Sequence, residues 1–222
     1  MTEKRPRRSF PFSFFHLPLL PSSLRDLRVF RGKIKNPVNP VRKSGIMTNY
    51  IYKATSLDGF IADKHGGIDW LTEIPNPDKS DYGFAEFMDL IDAVVLGRKT
   101  FEQVLSFGQW PYTKPVFVVS SSLQKLPDHL AGKAEIIKGE PEEIVDQLHL
   151  MGFNDLYIDG GRTIQNFLQA DLIDTMIITS IPVLLGEGIS LFGSLDQRRW
   201  FRLKKSEVLE GVYVKSWFER VR

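Results

Sequence analysis

VVLGRKTFEQV, residues 94–104, joins two hydrophobic patterns at a single glycine. Upstream, AVVL (93–96) is continuously apolar, as expected of a short strand covered on both faces. Downstream, a helical pattern runs from about Lys99 to Leu105. A strand passing directly into a helix is the repeating unit of an α/β domain with a mostly parallel sheet. The stretch also raises a chemical question, because two cations and a bare backbone, Gly97-Arg98-Lys99, stand at the join.

The same alternation continues on both sides. Residues 50–55 read as a strand, and Phe84, Phe87, Met88 and Ile91 fall at the i, i+3, i+4, i+7 spacing of a helix over 84–91. VFVV (116–119) and AEIIK (134–138) are further strands. Pro141-Glu142-Glu143 opens a helix, since proline suits a first turn and acids suit its dipole; Ile144, Val145, Leu148 and Met151 form the inner stripe. DLYID (155–159), a helix over 163–169 and a strand around 174–183 follow. Two β-rich runs, 201–209 and 212–219, joined near Glu210-Gly211, predict a C-terminal antiparallel hairpin at one sheet edge. The chain has no internal repeat, no G-x-G-x-x-G after its first strand and no G-x-x-x-x-G-K-[ST]. Neither a Rossmann fingerprint nor a P-loop is therefore supported.

The 222 residues, 42% hydrophobic and 25% charged, suit a soluble protein with one domain of about 150–200 residues. Cysteine is absent. That excludes disulfides, thiolate zinc sites, iron–sulfur clusters and a cysteine nucleophile, and no metal site is expected. It also fits a reducing cytoplasm. The net charge of +2 conceals a split. Residues 1–46 carry eleven Lys/Arg against Glu3 and Asp26, a balance of +9, with six of the thirteen prolines and no sustained period. Residues 47–222 hold eighteen basic against twenty-five acidic residues, or −7. The expectation is a basic, disordered N-terminal extension over 1–46 and a folded domain over 47–222, opening with MTNYIYKATSLDGFIA. RPRRSFPFSFFHLPLL imitates a twin-arginine export signal, but Pro11, His16 and Pro18 interrupt its apolar run and no small-x-small cleavage site follows. A basic arm for nucleic acid or anionic lipid is the alternative use of this segment. The reading adopted has neither a nucleic-acid nor a membrane partner, and no stretch reaches the about 18 apolar residues of a membrane span.

In an open α/β sheet, ligands sit beyond the carboxyl ends of the strands. Gly97 lies at such an end, where a missing side chain permits close approach to the backbone. The helix that follows begins with unpaired N–H groups and a partial positive charge. Arg98 and Lys99 add full charges, Arg being able to grip a phosphate through two hydrogen bonds, and Thr100 adds a hydroxyl. Together these residues read as a phosphate cradle, against the plainer possibility of a turn followed by solvated cations. Ser120, Ser121 and Ser122 end VFVV with hydroxyls and no carboxylate, which is permissive for the 2′-phosphate of NADPH; loop and cap roles are the alternative. Gly160 and Gly161, followed by Arg162 and Thr163, repeat the glycine-then-cation pattern after YID.

SLDGFIA (56–62), DWL (69–71), VVLGRKTFE (94–102), FVVSSS (117–122), YIDGGRTIQNFL (157–168) and IPVLLGEGISLF (181–192) occur in an order that resembles the dihydrofolate reductase superfamily. The closer likeness is to the branch holding the reductase domain of the bifunctional riboflavin-biosynthesis protein, over residues 47–222. The resemblance implies a mixed, mostly parallel sheet flanked by helices, NADPH as hydride donor, and a homodimer. Carried over, Gly97, Arg98, Lys99 and Thr100 would hold the cofactor phosphates. Ser120 and Ser121 would lie near the 2′-phosphate, while Gly160, Gly161, Arg162 and Thr163 would pass beneath the pyrophosphate and nicotinamide. Ala54 and Ile61 would border the nicotinamide. The deaminase half of the bifunctional enzyme is missing, there being no H-x-E with a downstream P-C-x-x-C.

Reduction of a C=N or C=O group leaves an atom that must gain a proton, so a carboxyl at the pocket mouth is useful. Asp81 stands where true dihydrofolate reductases carry their pterin-binding acid, with a helix cap as its alternative role. Asp58 and Trp70 are candidate substrate contacts, against an Asp-Gly turn and a core tryptophan. Glu187, between two glycines, faces either substrate or solvent. TEIPNPDKSDYG (72–83) is expected to cover the pocket and departs from both the folate and the riboflavin enzymes. The leading expectation is an NADPH-dependent reductase of a small pyrimidine- or pterin-like heterocycle, akin to 5-amino-6-(5-phosphoribosylamino)uracil reductase. Dihydrofolate reductase activity, a NADPH-binding protein without turnover, and a scaffold for a functional basic arm are the alternatives.

Overall fold

The computed structural model describes residues 47–71, 73, 76 and 79–222. The expected N-terminal extension lies outside the described residues, as do residues 72, 74, 75, 77 and 78 of the expected pocket-covering loop. Ten strands and four α-helices follow in the order β1 (Thr48–Ser56), β2 (Phe60–Ala62), α1 (Phe84–Leu90), β3 (Ala93–Gly97), α2 (Arg98–Ser106), β4 (Val116–Val119), β5 (Ala134–Ile137), α3 (Pro141–Leu150), β6 (Asp155–Asp159), α4 (Gly161–Gln169), β7 (Thr175–Ile181), β8 (Ile189–Ser190), β9 (Trp200–Leu209) and β10 (Tyr213–Val221).

Eight strands form one sheet in the order β5-β4-β3-β6-β1-β7-β10-β9. Strands β1 and β3 to β7 run parallel, and the β9–β10 hairpin is added at one edge with β10 antiparallel to both β7 and β9. The continuous apolar runs are explained by cover on both faces. Ala93, Val94, Val95 and Leu96 are all fully buried, and their side chains alternate between two cores. Val95, Leu156 and Ile158 pack with Ile144, Leu148, Ile164 and Phe167 beneath α3 and α4. Val94, Leu96 and Tyr157 pack with Phe84, Phe87, Phe101 and Val104 beneath α1 and α2.

Helix α3 starts at Pro141 as its sequence predicts, with a reciprocal cap in which Glu143 accepts a hydrogen bond from the Glu140 amide at 2.9 Å. Helix α4 begins two residues before its hydrophobic stripe suggests, because Gly160 turns the chain at φ +90° and Gly161 is already helical. The two short strands β2 and β8 pair as a separate sheet that periodicity does not reveal. Strands β1 and β6 pair only from Thr48/Asp155 to Tyr50/Tyr157, whereas β1 stays with β7 as far as Ser56/Ile181. A gap therefore opens between β1 and β6 toward their carboxyl ends. Among the described residues, no helix is long and apolar enough to cross a membrane.

Candidate functional site

Strands β4, β3 and β6 are neighbours, and their register sets Val119 beside Gly97 and Leu96 beside Asp159. Three of the strand ends singled out by sequence, at Gly97, Ser120 and Gly160, thus finish side by side. The fit between two of them is close. A Cβ built on Gly97 would lie 2.7 Å from Thr163 Oγ1, and one built on Gly160 would overlap Thr100 Oγ1 and approach the Gly97 amide nitrogen to 3.7 Å. Each glycine accepts the threonine of the other turn. The missing side chains serve the packing of α2 against α4, so Thr100 and Thr163 are partly spent on that contact.

Drawn together in this way, α2 and α4 present their amino ends to one place. Neither has a side-chain cap, whereas α3 has a full capping box. Their first N–H groups are left to solvent or to an anion. Arg98 and Lys99 are exposed at the start of α2, and Arg162 is exposed at the start of α4. Arg98 touches Glu102 at 3.6 Å across an exposed i,i+4 pair, an interaction weak enough to yield to a better partner. Ser120 is buried and its hydroxyl oxygen accepts the amides of Leu123 at 2.9 Å and Ser122 at 3.3 Å. It therefore holds its own turn, and Ser121 and Ser122 are the exposed hydroxyls there. Ile61 on β2 and Ile189 on β8 roof the first turn of α4, each with a methyl group 3.1 Å from where a Gly161 Cβ would sit. Gln165 ties that roof down by donating to the Ser190 carbonyl at 2.8 Å.

The gap between β1 and β6 holds an arrangement that sequence reasoning missed. Asp159, 4% exposed, ends β6. One of its oxygens pairs with Lys53 Nζ and accepts the Gly160 amide at 2.7 Å; the other accepts the Tyr112 hydroxyl at 3.1 Å. Burial, reinforced by the Asp159 charge, pushes the Tyr112 phenol well above its ordinary range. Burial does the same for Tyr157, whose hydroxyl donates to the Tyr52 carbonyl at 3.1 Å, an acceptor exposed by the parting of the strands. The available signals were a lysine inside a strand and a carboxylate just before a glycine pair.

The substrate-side candidates are each held by local partners. Asp81 accepts the Gly83 and Ala85 amides, each at 2.9 Å, one on each oxygen. Both of its oxygens anchor the turn into α1. Asp58 accepts the Ser56 hydroxyl at 2.6 Å and the amides of Gly186 at 2.7 Å and Leu185 at 3.2 Å, clamping the turn after β1 to the loop after β7. The Ser56 hydroxyl first, then these amides, hold its carboxyl below the usual range. Trp70 is buried among Tyr82, Ile181 and Tyr213, with Ala54 packed against that cluster and no acceptor for its indole N–H. Glu187 is exposed and pairs with Lys64 at 2.5 Å.

A family model described as the RibD C-terminal domain matches residues 50–215. The chain belongs to that family. Its fold is dihydrofolate reductase-like. Among curated proteins, the uncharacterized protein YwjB of Bacillus subtilis (strain 168) is 36% identical over 157 residues, covering 69% of this chain and 87% of YwjB. A solved structure of a putative riboflavin biosynthesis protein from Shewanella sp. PV-4 is 48% identical, with a TM-score of 0.77, covering 79% of this chain and all of the other. The bifunctional diaminohydroxyphosphoribosylaminopyrimidine deaminase/5-amino-6-(5-phosphoribosylamino)uracil reductase of Thermotoga maritima shares the fold at 17% identity and a TM-score of 0.62. That match covers 79% of this chain but 57% of the longer Thermotoga protein. Within the matched RibD C-terminal domain, the Gly97 and Gly160 turns end the neighbouring strands β3 and β6.

Proposed function

We propose that this chain is an NADPH-dependent reductase of a pyrimidine- or pterin-like heterocycle, related in activity to 5-amino-6-(5-phosphoribosylamino)uracil reductase. The observation that carries the reading is the meeting of two uncapped helix amino ends through the reciprocal Gly97–Thr163 and Gly160–Thr100 contacts. Bare amides with Arg98, Lys99 and Arg162 around them fit the phosphates of a dinucleotide. The exposed Ser121 hydroxyl, with no carboxylate at that strand end, is compatible with a 2′-phosphate. When bound, NADPH supplies a hydride; the chain supplies position, dryness and a proton.

Dryness comes from the Ile61–Ile189 roof over α4. Asp81 positions α1, since both oxygens are engaged in its turn. The proton-bearing atoms held beside the strand ends are Lys53 Nζ and the Tyr112 hydroxyl, both on Asp159. Lys53, with 22% of its side chain accessible, is the proton donor proposed for the substrate.

Calorimetric titration of the full chain with NADPH and NADH tests the cofactor, and NADPH absorbance with 5-amino-6-(5-phosphoribosylamino)uracil or dihydrofolate tests the substrate. The expected result is tighter binding of NADPH than NADH, with NADPH consumed on addition of the uracil and not of dihydrofolate. Absence of heat with NADPH overturns the proposal. Binding without consumption on either substrate replaces it with a cofactor-binding protein that does not turn over.

A further inference from the structure

A cavity lies away from the glycine turns. It occupies about 560 Å³ between α1 and the β9–β10 hairpin, within the roughly 300–1,000 Å³ of small-molecule sites. Tyr52, Phe87 and Trp217 give it aromatic walls, and Lys215 lies within its lining. None of Gly97, Ser120, Gly160 or Asp159 lines it. The cluster of Trp70, Tyr82, Ile181 and Tyr213 packs against Ala54 and Leu209, and Leu209 belongs to the cavity wall. Tyr82 of this cluster lines the cavity as well.

Lys215 is the unusual residue here. It is 4% exposed, and lysine is almost never so buried without a counter-ion. Its ammonium donates to the Tyr82 carbonyl at 2.6 Å and to the Tyr52 hydroxyl at 3.0 Å, and lies 4.9 Å from the ring centres of both Tyr52 and Trp217. Those partners take two of its three N–H groups. The ion pairs of the described residues include none with Lys215; the neighbouring Glu207 is taken by Lys205 at 2.7 Å. Burial draws the Lys215 ammonium below its ordinary range, opposed chiefly by the Glu207 and Glu86 charges. The cavity therefore holds a desolvated cation with a donor to spare.

We propose that this cavity binds a small aromatic carboxylate, its ring lying among Tyr52, Phe87 and Trp217 and its carboxylate on Lys215 Nζ. An anion completes the hydrogen bonding of a buried ammonium, and flat walls select a planar body. Glu86, Glu207 and Glu210 also line the cavity, with Lys205 as the other cation. These carboxylates oppose a dianion such as a phosphate ester more strongly than a monoanion seated on Lys215, and they can accept from an amino group on the ring, which favours a monoanion bearing a donor. The site is independent of the cofactor reading above.

The test is titration of the full chain with 3-aminobenzoate, followed by calorimetry and by tryptophan fluorescence. Saturable binding is expected with Kd below about 1 mM. The neutral isostere 3-aminobenzamide should bind about tenfold more weakly, as loss of a charge-assisted hydrogen bond implies, and phenyl phosphate should also bind more weakly. Lys215→Met should erase the preference for acid over amide, and Trp217→Phe should remove the fluorescence change while leaving the heat. Saturating NADPH should leave 3-aminobenzoate binding unchanged. No saturation, equal affinity for acid and amide, an unaltered preference in Lys215→Met, or displacement by NADPH would each overturn the proposal. If Lys215→Met fails to fold, the acid–amide comparison on the native chain decides.

Discussion

Lys53 and Asp159 pair across the gap where β1 and β6 separate, one side chain 22% and the other 6% exposed. A carboxylate so enclosed needs its partners, and it has three: the ammonium, the Tyr112 hydroxyl and the Gly160 amide. Removing one member of such a pair leaves a charge without compensation. Lys53→Met should destabilise the fold by about 3 kcal/mol, read from urea unfolding, and Asp159→Asn by a similar amount. Retention of full stability in both variants would mean the pair is solvated and the gap open to water.

The Gly97–Thr163 contact makes a prediction about coupling. Gly97→Ala sets a methyl group 2.7 Å from Thr163 Oγ1 while leaving the backbone in an ordinary extended conformation, φ −76°. It should cost about 1–3 kcal/mol, the range for overpacking. Thr163→Ala in the same chain should return most of that, giving a clear interaction energy in a double-mutant cycle. Additive effects would show that α2 and α4 are not pressed together at this point.

Arg98→Ala should weaken NADPH binding by about tenfold, the worth of one charge-assisted hydrogen bond. The matched titrations with NADPH and NADH show which phosphate it meets. Equal losses place Arg98 on the pyrophosphate; a loss confined to NADPH places it on the 2′-phosphate. An unchanged affinity for both would remove Arg98 from the site.

Asp58 supplies a pH dependence. Its folded carboxyl titrates below the usual range, so the stability it contributes is present above the ordinary carboxylate range and is lost as pH falls through the depressed value. Asp58→Asn should therefore be less stable than the native chain at neutral pH, and the difference in melting temperature should shrink as acid is added. A difference that stays constant down to acid pH would show that the clamp works without the charge.

Much of the fold was legible because its signals are local. AVVL and VFVV announce buried strands, and the spacing of Ile144, Val145 and Leu148 announces a helix, before any neighbour is known. The strands β2 and β8 were not legible, since three and two residues are too few to show a period. At the site, the glycine turns could be found but their purpose could not. Gly97 reads as room for a ligand, and only the register of β3 with β6 shows that Thr163 fills that room. Lys53 and Asp159 are distant in the chain and meet only because two strands part. Lys215 leaves a trace in the sequence: Tyr213 and Trp217, four residues apart, share one face of β10, and the lysine stands midway between them at the same phase.

The central position of β1 has a consequence for how the protein comes into being. Thr48 pairs with Asp155 and Tyr50 with Thr175, so β1 stays uncovered on one flank until β6 has been synthesised and on the other until β7 has. Such long-range pairing is slow, and an uncovered apolar strand invites association with other nascent chains. Chaperone demand during translation should fall once β7 has emerged.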